Sequence, residues 1–179
     1  DAAAAAKGWM RALETEPADE RGLMGCMRLV PGLGDWSELS DSLARAIEVA
    51  DEGDTQTLAR LHRANADIAR DQLQDMERAC AAFEALLALD TSDPETIRYA
   101  TSALDPMYAA SERFADQASV LRKQAEWAES SEERATLLAR VAEIHEVALD
   151  ETEKAIETWV EVSGEDPDDT RALAALERL

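Results

Sequence analysis

Ala5, Trp9, Ala12 and Pro17 are separated by four, three and five residues, and the same intervals separate Ala79, Phe83, Leu86 and Thr91 and again Ala155, Trp159, Val162 and Pro167. Leu39, Leu43, Ala46 and Asp51, and then Gln117, Leu121, Gln124 and Glu129, keep those intervals with other residue types. Steps of three and four place side chains on one face of a helix. A unit that recurs at fixed spacing cannot bury that face alone and must stack on its neighbours. The recurrence therefore constrains the fold before any local propensity is considered. Glycine and proline are few, at 7 and 5 of 179 residues, and runs of β-branched residues are missing, which disfavours strands. The expected fold is all-α, an α-solenoid of stacked antiparallel helix pairs.

Turn and capping residues divide the chain into about ten helices, over residues 2–15, 18–30, 35–50, 54–72, 75–90, 93–105, 112–128, 131–149, 152–163 and 168–179. Ser92, Asp93, Pro94 and Glu95 form one start signal, and Ser130 with Glu133 forms another, each supplying acceptors for amides that a helix start leaves unpaired. Pro31, Gly32 and Gly34 stop the second helix, Gly53 the third, and Gly164 with Pro167 the ninth. Pro106 lacks a backbone donor, so the sixth helix is expected to stop or kink near residue 105. Trp9, Phe83 and Trp159 share one slot and Trp36 and Phe114 another, and a slot refilled by an aromatic at repeat spacing is read as core. Cys26 and Cys80 fall three helices apart, too far for a disulfide, and read as buried thiols with a lean toward a cytoplasmic setting.

The order small residue, large aromatic, small residue, proline in the second helix of each unit resembles the tetratricopeptide (TPR) family. Ala155, Trp159 and Pro167 carry the resemblance, and the stretch EKAIETWVEVSGEDPDD reads like a family member throughout. The first helices match less: Ala66 and Ala142 hold the expected small position, but His62 and Leu138 stand where a larger signature would begin. The resemblance covers nearly the whole chain. It implies a right-handed superhelix with a partial repeat over 1–17, repeats over about 18–53, 54–92, 93–130 and 131–167, and a partial repeat over 168–179. On this reading the chain is one array cut from a longer one, and further repeats of that longer chain are among its expected partners.

The resemblance also implies which residues face a partner. In the family, residues two before and one, five and eight after the large position of the first helix point into a concave groove. With His62 as that position the rule selects Arg60, Arg63, Asp67 and Arg70, and with Leu23 it selects Arg21, Met24, Arg28 and Pro31. Tyr99 falls on the inner face of its helix. With Leu138 as reference the rule selects Thr136, Ala139, Glu143 and Glu146, so the basic character is confined to one end. Arginine suits planar recognition of carboxylates, which points to a protein or peptide partner with an acidic segment or a free C-terminus. The same arginines are spaced to pair with carboxylates on their own helix, and a solvated charge face stands as the alternative.

A net charge of −21 disfavours nucleic acid and anionic membrane surfaces, whose binding is built from Lys and Arg. No apolar stretch approaches the roughly 20 residues needed to span a bilayer. His62 and His145 have no second His or Cys at metal-ligand spacing, and no phosphate-binding glycine run or nucleophile elbow occurs. No cofactor, metal or catalytic group is expected, and the chain is not read as an enzyme. The leading functional reading is an interaction scaffold that binds a partner peptide or helix in its groove. A self-assembling structural solenoid and a regulatory region fused to an enzyme outside this stretch are the alternatives. The final helix, with Leu173, Leu176 and Leu179, favours the former of these two.

Overall fold

The computed structural model describes residues 1–89 and 93–179 of the chain. The described residues contain helices and no strand, and divide into two compact units, Asp1–Thr91 and Ser92–Leu179. The first unit holds α1 (Ala2–Thr15), α2 (Glu20–Leu33), α3 (Trp36–Val49), α4 (Thr55–Asp67) and α5 (Met76–Ala88). The second holds α6 (Pro94–Ala110), α7 (Phe114–Glu126), α8 (Ser131–Glu143), α9 (Thr152–Glu165) and α10 (Thr170–Arg178). Both α4 and α8 run on into a π-helical segment, Ile68–Leu73 and Ile144–Ala148 respectively.

Aspartate starts most of these helices. Asp1, Asp19, Asp54, Asp75, Asp93 and Asp169 each accept a hydrogen bond from a backbone amide of the first turn, as Ser130 does from Glu133 at 3.1 Å. A share of the chain's acidity is thus spent on helix starts, where a carboxylate satisfies free donors and sits favourably in the helix dipole. The expected cap Ser92 and the frame residue Thr91 lie outside the described residues.

The block α2–α5 is answered element by element in α6–α9. Gly34 (φ 79°) precedes α3 and Glu112 (φ 55°) precedes α7, two residues ahead of Trp36 and Phe114. Gln74 (φ 54°) follows the first π-helical segment and Asp150 (φ 56°) the second. In each case the next amide turns back on the segment: Asp75 N–H donates to Ala69 at 2.9 Å, and Glu151 N–H to His145 at 2.8 Å. Left-handed backbone is costly for residues with a Cβ, so its return at matching places marks a repeated connection.

Two elements differ from the sequence expectation. The sixth helix does not stop at 105; α6 continues through Pro106 to Ala110. Leu104, Met107 and Tyr108 are all buried on either side of that proline. Burial of three large side chains, about 1.5–3 kcal/mol each, outweighs the roughly 3 kcal/mol a helix loses to an internal proline. Likewise α2 carries Pro31 within its last turn and ends at Gly34, whose amide donates to Val30 at 2.8 Å.

The core follows the recurrent frame in α3, α5 and α9. Leu39, Leu43 and Ala46, then Ala79, Phe83 and Leu86, then Ala155, Trp159 and Val162 are buried. In α7, Gln117 and Leu121 are buried and Ala125 takes the place expected of Gln124. In α1 the frame is off by one residue: Ala6, Met10 and Leu13 are buried, and Trp9 is 39% exposed. Two glycines of α2 explain the shift. A Cβ on Gly22 would lie 3.1 Å from the Leu13 backbone, and one on Gly25 would lie 2.3 Å from the Trp9 ring. The two helices approach so closely that Leu13 takes the inner position and Trp9 lies across Gly25 at the surface. Trp36 and Phe114 are half-buried, and Trp36 packs against the first unit's core.

Polar ties join helices of the same type. From α1 to α3, Glu14 accepts from Arg45 at 2.7 Å and from Ser42 at 2.8 Å; from α3 to α5, Asp41 pairs with Arg78; from α7 to α9, Arg122 pairs with Glu161 at 3.0 Å. Among the first-type helices, Glu20 pairs with Arg60 at 2.9 Å, Asp105 with Arg140 at 2.9 Å and Glu146 with Arg178 at 2.7 Å. In the buried interior the Ser40 hydroxyl donates to Asn65, which satisfies both groups across α3 and α4.

Candidate protein-binding face

The residues expected to face a partner occupy α2, α4 with its π-helical extension, and α6. Arg21, Met24 and Arg28 form an exposed row on α2. Arg60, Arg63 and Asp67 lie on α4 and Arg70 within the π-helical extension. Tyr99 stands half-buried on α6 and so belongs to the second unit.

Most of the arginines already serve the fold. Arg21 is held by the carboxylate of Asp19 through contacts of 2.6–3.0 Å. Arg60 reaches from α4 to the start of α2, pairing with Glu20 and donating to the Pro17 carbonyl at 2.8 Å. These two contacts commit the guanidinium to closing the α1–α2 turn, and its Nε is buried without a hydrogen-bond partner. Arg70 pairs with Asp67 at 3.0 Å and Asp71 at 2.7 Å, and its guanidinium lies 5.4 Å from the centre of the Phe83 ring. The alternative of pairing along the helix therefore holds for Arg70. Arg28 is exposed and forms no ion pair among the described residues.

Sequence reasoning missed Trp9 and Met27. The recurrent slot places Trp9 in the core and the groove rule passes over Met27, yet both are exposed beside the α2 row. The available signal was the pair of glycines inside the helical pattern RGLMGCM, since glycine within a helix marks close approach of a neighbour.

Several carboxylates titrate below their ordinary range. The guanidinium of Arg21 pulls Asp19 down to about 2. Arg45 followed by Ser42 lowers Glu14, Arg70 lowers Asp71, the Thr57 hydroxyl and amide lower Asp54, and Arg171 lowers Asp169. Lys154 and then His145 lower Glu151, whose Oε2 lies 2.8 Å from His145 Nδ1. A lowered folded-state pKa gives stability that is fully present above the unfolded value, about 4, and is lost as pH falls through the folded value. Urea titrations followed by circular dichroism should show stability falling modestly from pH 7 to about 5, because His62, whose pKa burial lowers, takes up a proton more readily in the unfolded chain. Below about pH 4 it should fall progressively toward pH 2.

The remaining features carry less chemistry. Burial lowers the pKa of His62 and raises the Cys26 thiol to about 11, and both cysteines are buried and outside any disulfide. Among the described residues no group of three or more His, Cys, Asp or Glu is placed to hold a metal ion, and no helix is long and apolar enough to cross a membrane. The second unit has an open groove of about 610 Å³ floored by Ala125 and Leu138, across which Arg122 pairs with Glu161 and Arg134 with Glu165. Comparison with protein-family models and with curated proteins gave no match.

Proposed function

We propose that this chain is a TPR-like protein-interaction module whose first unit receives a segment of a partner protein along the exposed row of α2 and the adjoining face of α4. The observation that carries this reading is the uncommitted guanidinium of Arg28 beside the exposed Met24, in a chain whose net charge is −21. An acidic segment complements such a place, and the chain's net charge of −21 repels acidic ligands elsewhere. Packed helix pairs provide the rigid platform that a binding surface needs.

Selection of a displayed random-peptide library on the protein tests this. Asp- and Glu-bearing sequences should be enriched on the natural chain, and the enrichment should disappear on Arg28→Glu/Arg63→Glu. Equal enrichment on both proteins, or none on the natural chain, would overturn the reading. The self-assembling alternative draws on α10, where Leu173 is 48% exposed although its counterpart in α6, Ile97, is buried. Sedimentation at several concentrations separates the two, since assembly through α10 requires mass to rise with concentration.

A further inference from the structure

We infer that Trp9, Met24, Met27 and Arg28 form one platform, built to hold an amphipathic helix whose apolar side chain and carboxylate stand one turn apart. The inference rests on the reading of the chain as a protein-binding module and names the chemistry of the partner.

The first ground is the position of Trp9. In α5 and α9 the corresponding aromatics are buried, whereas Trp9 lies flat against Gly25 with 39% of its surface in water. Glycine inside a helix costs about 0.5–1 kcal/mol relative to alanine. At Gly22 that cost is returned by the packing of Leu13. At Gly25 it creates a seat for an indole that stays at the surface, and an alanine there would overlap the ring. The arrangement seats Trp9 on α2 while leaving 39% of its surface where a partner can reach it.

The second ground is continuity. At 100° per residue, Gly25 with its covering indole, Arg28, Met24 and Met27 follow one another around the solvent side of α2. Met24 is 67% exposed and Met27 43%. Arg28 thus stands between the indole and the two thioethers; Met24 beside it, with Met27 beyond, offers flexible, polarisable groups that suit an apolar side chain of variable shape, and such groups dominate binding energy when water is excluded from them.

The third ground is spacing and charge. Met24 and Arg28 are four residues apart, about 6 Å along the helix axis. A partner helix laid along α2 with an apolar residue and a Glu four apart meets both at once, in the helix-on-groove mode of peptide recognition. Arg28 can take that Glu because no carboxylate of the described residues pairs with it.

The probe is a fluorescein-labelled, helix-stabilised synthetic peptide with two Leu-x-x-x-Glu pairs on one face, with one twin carrying Lys for Glu and another carrying Ser for Leu. Anisotropy titration against the full chain should show the parent peptide binding at least about tenfold more tightly than either twin. Met24→Asp, and independently the milder Met24→Ser with Arg28→Gln, should weaken the parent peptide about tenfold with unchanged far-ultraviolet circular dichroism. Gly25→Ala, which displaces the indole, should weaken it as well. Equal binding of the Ser twin, unchanged affinity in both Met24 proteins, or no binding to the natural chain at about 1 mM would overturn the platform. If library-selected peptides depend on Arg63 while Met24→Asp leaves them unaffected, the platform fails and the broader module stands. If the library yields nothing yet the designed helix binds through Met24, the outcome is reversed.

Discussion

Trp159→Ala is expected to lower the unfolding free energy of the second unit by about 3–5 kcal/mol. The indole is 2% exposed and sits among Leu138, Ala139, Ala142, Ala155, Val162 and Ala172. Alanine neighbours have no side-chain length with which to refill the space, and cavities that cannot collapse give the upper part of the range. Its Nε1 is buried with no hydrogen-bond partner, so the ring contributes through packing rather than through a bond. Trp159→Phe should therefore cost much less than the alanine change, because it keeps most of the volume and removes an unsatisfied donor. Trp9→Ala, at the residue given the same slot by the sequence intervals, should cost clearly less, about 1–2 kcal/mol, because 39% of its surface is already in water. Urea denaturation of the three proteins checks the series, and a Trp9→Ala loss as large as that of Trp159→Ala would refute the surface placement of Trp9.

That contrast shows where the sequence was legible. Intervals of three and four identify a buried face only when the neighbouring helix presents ordinary side chains. In α9 they identify Ala155, Trp159 and Val162 correctly; in α1, facing Gly22 and Gly25, the helix turns by one residue and Met10 enters the core in place of Trp9. All ten helices were readable from turn and cap residues, since those signals are local. Pro106 misled because its local penalty is overridden by the burial of Leu104, Met107 and Tyr108, a packing gain made chiefly against the following helix, α7, which the residues around the proline do not reveal.

The candidate face was legible in part for the same reason. A register rule selects Arg28 and Met24 as facing a groove; the structure has both exposed on α2. It could not distinguish Arg28 from Arg60, because the partner of Arg60 is Glu20, forty residues earlier on a parallel helix. Arginine is long enough to serve a neighbouring helix of the same type, and Arg45, Arg78, Arg122, Arg140 and Arg178 all do so. Such pairs are worth about 0–1 kcal/mol each at an exposed surface, yet each removes a cation from the inventory available to a partner. The number of arginines overstates the site.

Phe83→Ala is the second large effect, expected to destabilise the first unit by about 3–5 kcal/mol. Phe83 is fully buried in α5, and its ring also lies under Arg70, the residue that Asp67 and Asp71 hold in the π-helical extension of α4. Removing the ring opens a cavity and withdraws one support of that extension; the cation–π contact itself adds only about 0.5–1 kcal/mol. Amide hydrogen exchange distinguishes the two consequences. Protection should fall across α4 and α5 as the cavity lowers the stability of the whole unit, and should fall furthest in Ile68–Leu73, where the ring and the ion pairs meet. Amides of α8 and α9, whose core is built around Trp159, should keep their protection in this variant and lose it in Trp159→Ala. Equal losses in both units from either substitution would mean that the two cores melt as one.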